Sequence, residues 1–343
     1  MTASVWTSPL QLLVVIVNYR RPDLVVDCLR SLYPEVKALP SVRVAVVDNP
    51  SGDDSVAQIS AAIAENHWHD WAYLLPAPYN GGYAYGNNFA IRPALQSAYP
   101  PSYVLLLNPD TQVRPGALHA LLDFMEHHPH VGIAGSSFEN ADGSLWPIGF
   151  KFPSLWSELD DGLRLGFVTK LLKKHVVPQT LTPVAQPIDW LPGASLMIRK
   201  EVFDAIGLMD EDYFLYYEET DFCLQAKRAG WPCWYVPESR VMHIAGQSTG
   251  VTVRDQRPKR LPPYLFVSRR RFFVKNYGWL YAALADIIWL LGRSLWRLRQ
   301  LIQCKPNNDP PYVLIDFFTN SVFFKRTISG RVTPPSSASL SNI

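Results

Sequence analysis

Leu105-Leu106-Leu107-Asn108-Pro109-Asp110-Thr111 decides how this chain is read. An apolar run with the character of a buried strand stops abruptly in an amide, a proline and a carboxylate. Open α/β sheets deliver functional groups at the carboxyl ends of their strands, where the chain meets a ligand crevice. A carboxylate there, with a second oxygen donor two residues earlier, suits a divalent cation held against a phosphate. A plain strand followed by an Asx-Pro turn explains the heptad equally well on its own. Its surroundings have to decide.

Upstream the pattern repeats. Residues 12–17 are unbroken apolar and end at Asn18-Tyr19, followed by helical spacing through Leu24, Val25, Cys28, Leu29 and Leu32. Residues 42–47 read as the next strand, ending at Asp48-Asn49. Helical patterns are expected at about 55–64, from the glycine-rich segment 80–88 to about 98, and at 115–127, with strands at 72–75, 103–107 and 131–135. Strands alternating with helices predict a mostly parallel sheet covered on both faces. Residues 140–190, rich in Pro, Trp and Gly, read as an irregular insertion with one short amphipathic helix near 160–174. Strands at 191–199, 234–236 and 241–243 and helices at 200–206 and 218–229 follow, the last stopped by Gly230. Residues 246–263 have the composition of a mobile loop, and those from 334 onward that of a disordered tail.

The bulk numbers set limits. The 343 residues, 48% hydrophobic and 18% charged, suffice for one large α/β domain with an appendage. Four scattered cysteines lack metal-ligand spacing, and residues 1–10 lack a signal-peptide pattern, so a cytoplasmic protein with free thiols is expected. The net charge of +2 hides an asymmetry: residues 251–300 carry eleven Lys/Arg against Asp255 and Asp286. An acidic body with a basic tail suggests that the tail meets an anion. The acidic body argues against nucleic acid as a partner.

Five segments carry candidate chemistry. Asp48 can accept from a nucleobase or ribose, or merely cap a helix. The run Asn80-Gly81-Gly82 with Gly86-Asn87-Asn88 offers backbone N–H groups free of Cβ bulk to a phosphate or ribose, or is a turn. Asn108 and Asp110 form the proposed metal platform. Leu191-Pro192-Gly193 is a strand entry against which a ligand can lie. The stretch Tyr213-Phe214-Leu215-Tyr216-Tyr217-Glu218-Glu219-Thr220-Asp221 places three carboxylates at a helix start. They complement the helix dipole, or aromatic walls raise one toward a working base. His243 is a structural group or a metal ligand.

Taken in order, these segments resemble glycosyltransferase family 2, especially its bacterial rhamnosyltransferase-like branch. Besides the segments above, Val15-Ile16-Val17-Asn18-Tyr19, Ile198-Arg199, Gly207 with Asp210-Glu211, Gly230-Trp231, Tyr235-Val236-Pro237-Glu238 and His243 with Gly246 carry the likeness. It implies a GT-A type fold over residues 1–250, with a nucleotide-binding half (about 11–135) and an acceptor-binding half (about 136–250), then a basic, largely helical extension to 343. By resemblance, Asn18, Asp48, Asn80, Gly81, Gly82, Asn87, Asn108, Asp110 and Gly193 would bind a nucleotide-diphosphate sugar. Asp110 and His243 would hold Mg²⁺ or Mn²⁺, and Glu219, with Glu218 beside it, would supply the catalytic base. Many members have Asp where this chain has Glu219 and Asn108.

The implied activity is inverting transfer of a sugar, with dTDP-rhamnose the best-matching donor, to a glycan or lipid-linked acceptor in cell-surface polysaccharide assembly. An inactive sugar-nucleotide or glycan-binding protein on the same fold is the rival. A dinucleotide-dependent oxidoreductase is disfavoured, because the first strand leads into Asn18-Tyr19-Arg20-Arg21-Pro22 without a glycine fingerprint. For the tail three readings stand: a lid of Arg254, Arg257, Lys259 and Arg260 over the diphosphate; peripheral contact with anionic lipid on the inner face of the plasma membrane through 279–301; or a helix packed on the catalytic domain. Residues 279–292 contain Asp286 and span only 14 residues, short of the ~20 that cross a bilayer.

Overall fold

The run LLVVIVN forms β1 (Leu12–Asn18), buried at all seven positions because helices cover both faces of the sheet. In the computed structural model, residues 10–140, 142–146, 148–244 and 259–325 are described. The chain continues through α1 (Pro22–Ala38), β2 (Val42–Asp48), α2 (Ser55–Glu65), β3 (Ala72–Pro76), α3 (Gly82–Leu95), β4 (Tyr103–Leu107), β5 (Thr111–Val113), α4 (Ala117–His127) and β6 (Ile133–Glu139). Then come β7 (Leu145–Trp146), β8 (Ile148–Phe150), α5 (Leu155–Leu163), α6 (Gly166–Leu171), β9 (Pro178–Thr180) and β10 (Gln186–Ile188). The remainder is β11 (Ser195–Arg199), α7 (Lys200–Ile206), α8 (Glu218–Arg228), β12 (Cys233–His243), α9 (Pro263–Tyr277), α10 (Trp279–Ile302) and α11 (Val313–Thr319).

The main sheet has the order β10-β12-β6-β11-β4-β1-β2-β3. Strands β1, β2, β3, β4, β6 and β12 share one direction, and β11 runs against its neighbours β4 and β6. Alternation along β1 divides the core. Leu12, Val14 and Ile16 pack with α1, α2 and α4, while Leu13 and Val15 pack with α3, α7 and α8. Glu35 of α1 ties the first layer together by accepting the Gly116 and Leu118 amides at the start of α4, at 2.7 and 2.9 Å.

Three expectations need correction. Residues 234–236 and 241–243 belong to a single strand, β12, whose register slips between Val236 and Arg240, so the expected gap is a bulge around Pro237. The 140–190 insertion is ordered: it holds the β8–β9 pair, and β10 joins the edge of the main sheet. Its expected single helix is two, broken at Arg164, whose φ of 48° is left-handed.

Helices α9, α10 and α11 pack with α5. Arg269 of α9 lies buried between Glu158 of α5 at 2.7 Å and Asp286 of α10 at 2.6 Å. Two carboxylates around one guanidinium satisfy a charge cluster that would be costly if broken. Among the described residues no helix is long and apolar enough to cross a membrane.

Candidate active site

Because β1, β2, β4 and β12 run in one direction, Asn18, Asp48, Asn108 and His243 end on the same edge of the sheet. Gly193 joins them, since β11 runs the opposite way and begins there. At the first corner Asn18 and Asp48 are register partners, and the Asn18 amide donates to the Asp48 carboxylate at 2.7 Å. Burial raises the Asp48 carboxyl above its usual value, which the Asn18 bond partly opposes. The Asn18 side chain also accepts the Arg21 amide at 3.2 Å, placing Arg21 at this corner.

The glycine-rich run is not a loop of free amides. Gly82 begins α3; its N–H is taken by the Asn80 side chain at 3.0 Å, and the Tyr83 N–H by the Phe214 carbonyl at 2.9 Å. Gly82 has φ +87°, and a Cβ there would stand 1.9 Å from the Phe214 oxygen. Gly86 sits where a Cβ would strike Val17, so it lets α3 approach β1. Asn87 is buried and donates to the Tyr83 carbonyl, leaving its Oδ1 unpartnered. Asn88 latches α3 to the segment before the aromatic run through Met209 and Glu211. The Gly82 and Tyr83 amides are thus engaged within the protein.

Asp110 leaves β4 by way of Pro109. Its Oδ1 lies 3.3 Å from Nε2 of His243, because β5 pairs antiparallel with β12 and sets Thr111 opposite His243. Both side chains are nearly buried, and the imidazole packs against Phe138 and Trp146. Among the described residues its Nδ1 has no partner, and the ring is held by packing against these aromatics. Ligands at right angles around Mg²⁺ or Mn²⁺, each ~2.1 Å away, stand roughly 3 Å apart, so the pair fits a hard divalent cation. Among the described residues no third His, Cys, Asp or Glu completes a cluster. Donor phosphates would have to fill the remaining positions. Asn108 stands beside the pair with its amide N–H bonded to the Ala194 carbonyl at 3.1 Å.

Glu218 and Glu219 open α8, and Tyr216 and Tyr217 before them are both left-handed, with φ 67° and 70°. Each such residue costs about 1–3 kcal/mol. Ring contacts of Tyr216 with Tyr264 and of Tyr217 with Phe272, both from α9, hold the turn. Burial pushes the Glu218 carboxyl well above the usual glutamate range, and the charge of Glu219 adds to it. Burial also raises Glu219, while its own amide and that of Gly193 pull it back. One oxygen of each carboxylate is buried without a partner. Asp221, by contrast, turns away to Lys275 and Asn276 of α9, both at 2.6 Å.

Tyr83 links the two acidic corners. Its hydroxyl donates to the Gly193 carbonyl at 2.8 Å, and a side chain on Gly193 would collide with it. Burial raises the phenol well above its usual value, and the charges of Glu219, Glu218 and Asp110 all add to the effect. It therefore lies within electrostatic reach of both the carboxylate pair and Asp110. No local pattern marks Tyr83 or Tyr264 as site residues; only the Asn-Gly-Gly and Pro-Pro helix starts before them hint at a fixed position. Of the proposed lid, Lys259 is exposed and Arg260 pairs with Asp316 at 2.6 Å, anchoring α11 instead. Arg254 and Arg257 lie outside the described residues.

Comparison with known proteins identifies the family. The profile of Glycosyl transferase family 2 matches residues 13–173, and that of Glycosyl transferase family group 2 matches residues 103–304. The chain belongs to glycosyltransferase family 2, with rhamnosyltransferases among its relatives. It is 33% identical over 187 residues to the N-acetylglucosaminyl-diphospho-decaprenol L-rhamnosyltransferase of Mycobacterium tuberculosis, an alignment covering 52% of this chain and 60% of that one. The chain thus spans well under two thirds of that relative's length. The dTDP-rhamnosyl transferase RfbF of Shigella flexneri is 25% identical over 284 residues, covering 81% and 84%. In fold the chain is similar to GalNAc-T7, solved with UDP, GalNAc and Mn²⁺, at TM-score 0.54 and 14% identity over 92% of this chain and 56% of that one. The architecture is the GT-A fold.

Proposed function

We propose that the protein transfers a sugar, rhamnose from dTDP-rhamnose in the first place, to a hydroxyl of a lipid-linked or glycan acceptor, with inversion at the anomeric carbon. The observation that carries this reading is the meeting, on one sheet edge, of the Asp110–His243 pair with a buried, pKa-raised Glu219 beside Tyr83 and Gly193. Asp48, oriented by Asn18, binds the nucleotide base or ribose. Glu219 takes the proton of the acceptor hydroxyl as that oxygen bonds to the anomeric carbon. The bond from that carbon to the diphosphate oxygen breaks, and the nucleoside diphosphate leaves with its electron pair. Mg²⁺ or Mn²⁺ held by Asp110 and His243 would neutralise charge on the diphosphate.

Residues 1–250 form the catalytic unit in this reading, and 251–343 an extension that buttresses it through α9. The names of the mycobacterial and Shigella relatives support rhamnose as the sugar and a polyprenyl-diphosphate-linked acceptor. A panel of nucleotide sugars scored by shift in unfolding temperature, followed by transfer from the best one to a polyprenyl-diphosphate sugar, tests the proposal. Stabilisation by a donor without turnover on any acceptor would favour the sugar-nucleotide-binding rival.

A further inference from the structure

The outward face of α10 serves neither the core nor the catalytic edge. Leu280, Leu284, Ile287, Leu291, Leu295 and Leu298 lie along it, each between 41% and 74% exposed, and Ile302 ends the row. At about 100° per residue they fall within one stripe roughly 80° wide along the helix. A continuous apolar stripe of this size on a soluble domain marks a contact surface. The opposite face is the packed one: Asp286, Trp289 and Arg293 are buried against α5, α9 and α11.

Charge identifies the occupant. The acidic groups of this region are turned inward onto arginines: Asp286 onto Arg269, Asp309 onto Arg164 and Arg293, and Asp316 onto Arg260. Arg297 and Arg299 instead flank the stripe, about a quarter turn to either side. Neither pairs with a carboxylate among the described residues; Arg297 reaches Gln300 at 2.8 Å and Arg299 lies over the Trp296 ring. At the other end the stripe meets Trp279, itself half exposed and in edge contact with Phe323. Leucines between flanking cations, with an aromatic end, match the boundary of an anionic bilayer, where basic side chains extend their heads to lipid phosphates. A left-handed two-helix seam fits poorly. The spacing 280, 284, 287 recurs as 291, 295, 298, an eleven-residue repeat rather than the heptad of a left-handed coiled coil.

We propose that α10 lies flat on an anionic phospholipid surface, its leucine stripe in the acyl boundary and Arg297 and Arg299 on the headgroups. This surface would bring the catalytic edge to acceptors carried on lipid, but the argument for it is independent of sugar transfer. The test is flotation of the full chain with vesicles of phosphatidylcholine alone, and of two parts phosphatidylcholine to one part phosphatidylglycerol. Binding is expected to the second kind, weakened in molar salt, where the screening length falls to about 3 Å. A Leu291→Glu, Leu295→Glu double variant should lose more than about tenfold in partitioning, and Arg297→Glu, Arg299→Glu should lose the preference for anionic lipid. Leu291 and Leu295 are exposed and Arg297 and Arg299 half-buried, and an unchanged unfolding temperature of each variant will show that the fold is kept. Absence of wild-type binding, or full binding by the leucine variant, overturns the proposal. So does a stable dimer in solution that the leucine variant converts to monomer, which would make a second copy the occupant. Since no donor or acceptor is present, a failed flotation leaves the sugar-transfer reading intact, and the reverse.

Discussion

The Asp110 carboxylate and the His243 imidazole face each other at 3.3 Å, brought together by the pairing of β5 with β12. If the pair holds a cation, Mn²⁺ should bind the protein more tightly when a nucleoside diphosphate is present. Asp110→Ala and His243→Ala should each weaken that binding by more than about tenfold, read by titration calorimetry. Excess chelator should abolish transfer. Full activity in chelator would reduce the pair to a hydrogen bond.

Replacing Glu219 by Gln keeps the shape of the side chain and removes its basicity. Turnover should drop by ~10²–10⁴-fold with donor binding preserved. Glu218→Gln should affect turnover less, because the Gly193 amide addresses Glu219. If the two variants exchange these phenotypes, Glu218 is the base.

Both carboxyls are held above the ordinary glutamate value of 4.5, chiefly by burial. A carboxyl whose pKa rises on folding gives stability that is complete below 4.5 and lost as pH climbs through the raised folded value. Glu218→Gln removes that loss. The variant should therefore melt above wild type in mildly alkaline buffer, with the gap closing as pH falls toward 4.5. Equal melting temperatures across the range would contradict the burial argument. Activity should show its acid limb above 4.5, since Glu219 must lose its proton to act.

Gly82→Ala would place a methyl group 1.9 Å from the Phe214 carbonyl at a φ of +87°. The expected cost is more than about 2 kcal/mol, measured by denaturant unfolding. Activity should fall further than stability alone explains, because the displaced Phe214 belongs to the aromatic run that sets Glu218 and Glu219. Gly116→Ala, also at positive φ but with open space around it, is the matched control for backbone strain.

Arg269→Ala would leave Glu158 and Asp286 facing each other in the interior. Breaking a buried cluster from one side costs about 3–5 kcal/mol. The loss should appear as a lower midpoint in urea, with separation of α10 from α5 visible as faster amide exchange in both helices. A midpoint unchanged from wild type would show that water reaches these carboxylates.

The parallel half of the sheet was legible because β1, β2 and β4 are buried on both faces, so their sequences are apolar, broken only by Arg43 in β2, and lead into Asn18, Asp48 and Asn108. Asp110 and His243 were legible as strand-end groups, and the structure sets them side by side. The start of α3 was hidden, since Gly81-Gly82 has the composition of a loop; what commits it to helix is the Phe214 carbonyl, supplied from far along the chain. The unity of β12 was masked by Pro237, which a bulge accommodates. Tyr83 and Tyr264 carried no local signal, because their place near the acids depends on Gly193 and on the Tyr216–Tyr217 turn.

The β5–β12 pairing also imposes an order on biosynthesis. Asp110 leaves the ribosome on a segment whose partner strand has yet to be translated, so a nascent chain holding β1 to β6 displays an unmatched carboxylate and an open strand edge. His243 is the last residue of β12, and only its arrival closes that edge. Truncations or stalls before β12 should thus yield a domain half with the Asn18–Asp48 corner in place but an exposed β6 edge, the kind of surface that recruits chaperones or pairs with a neighbouring chain.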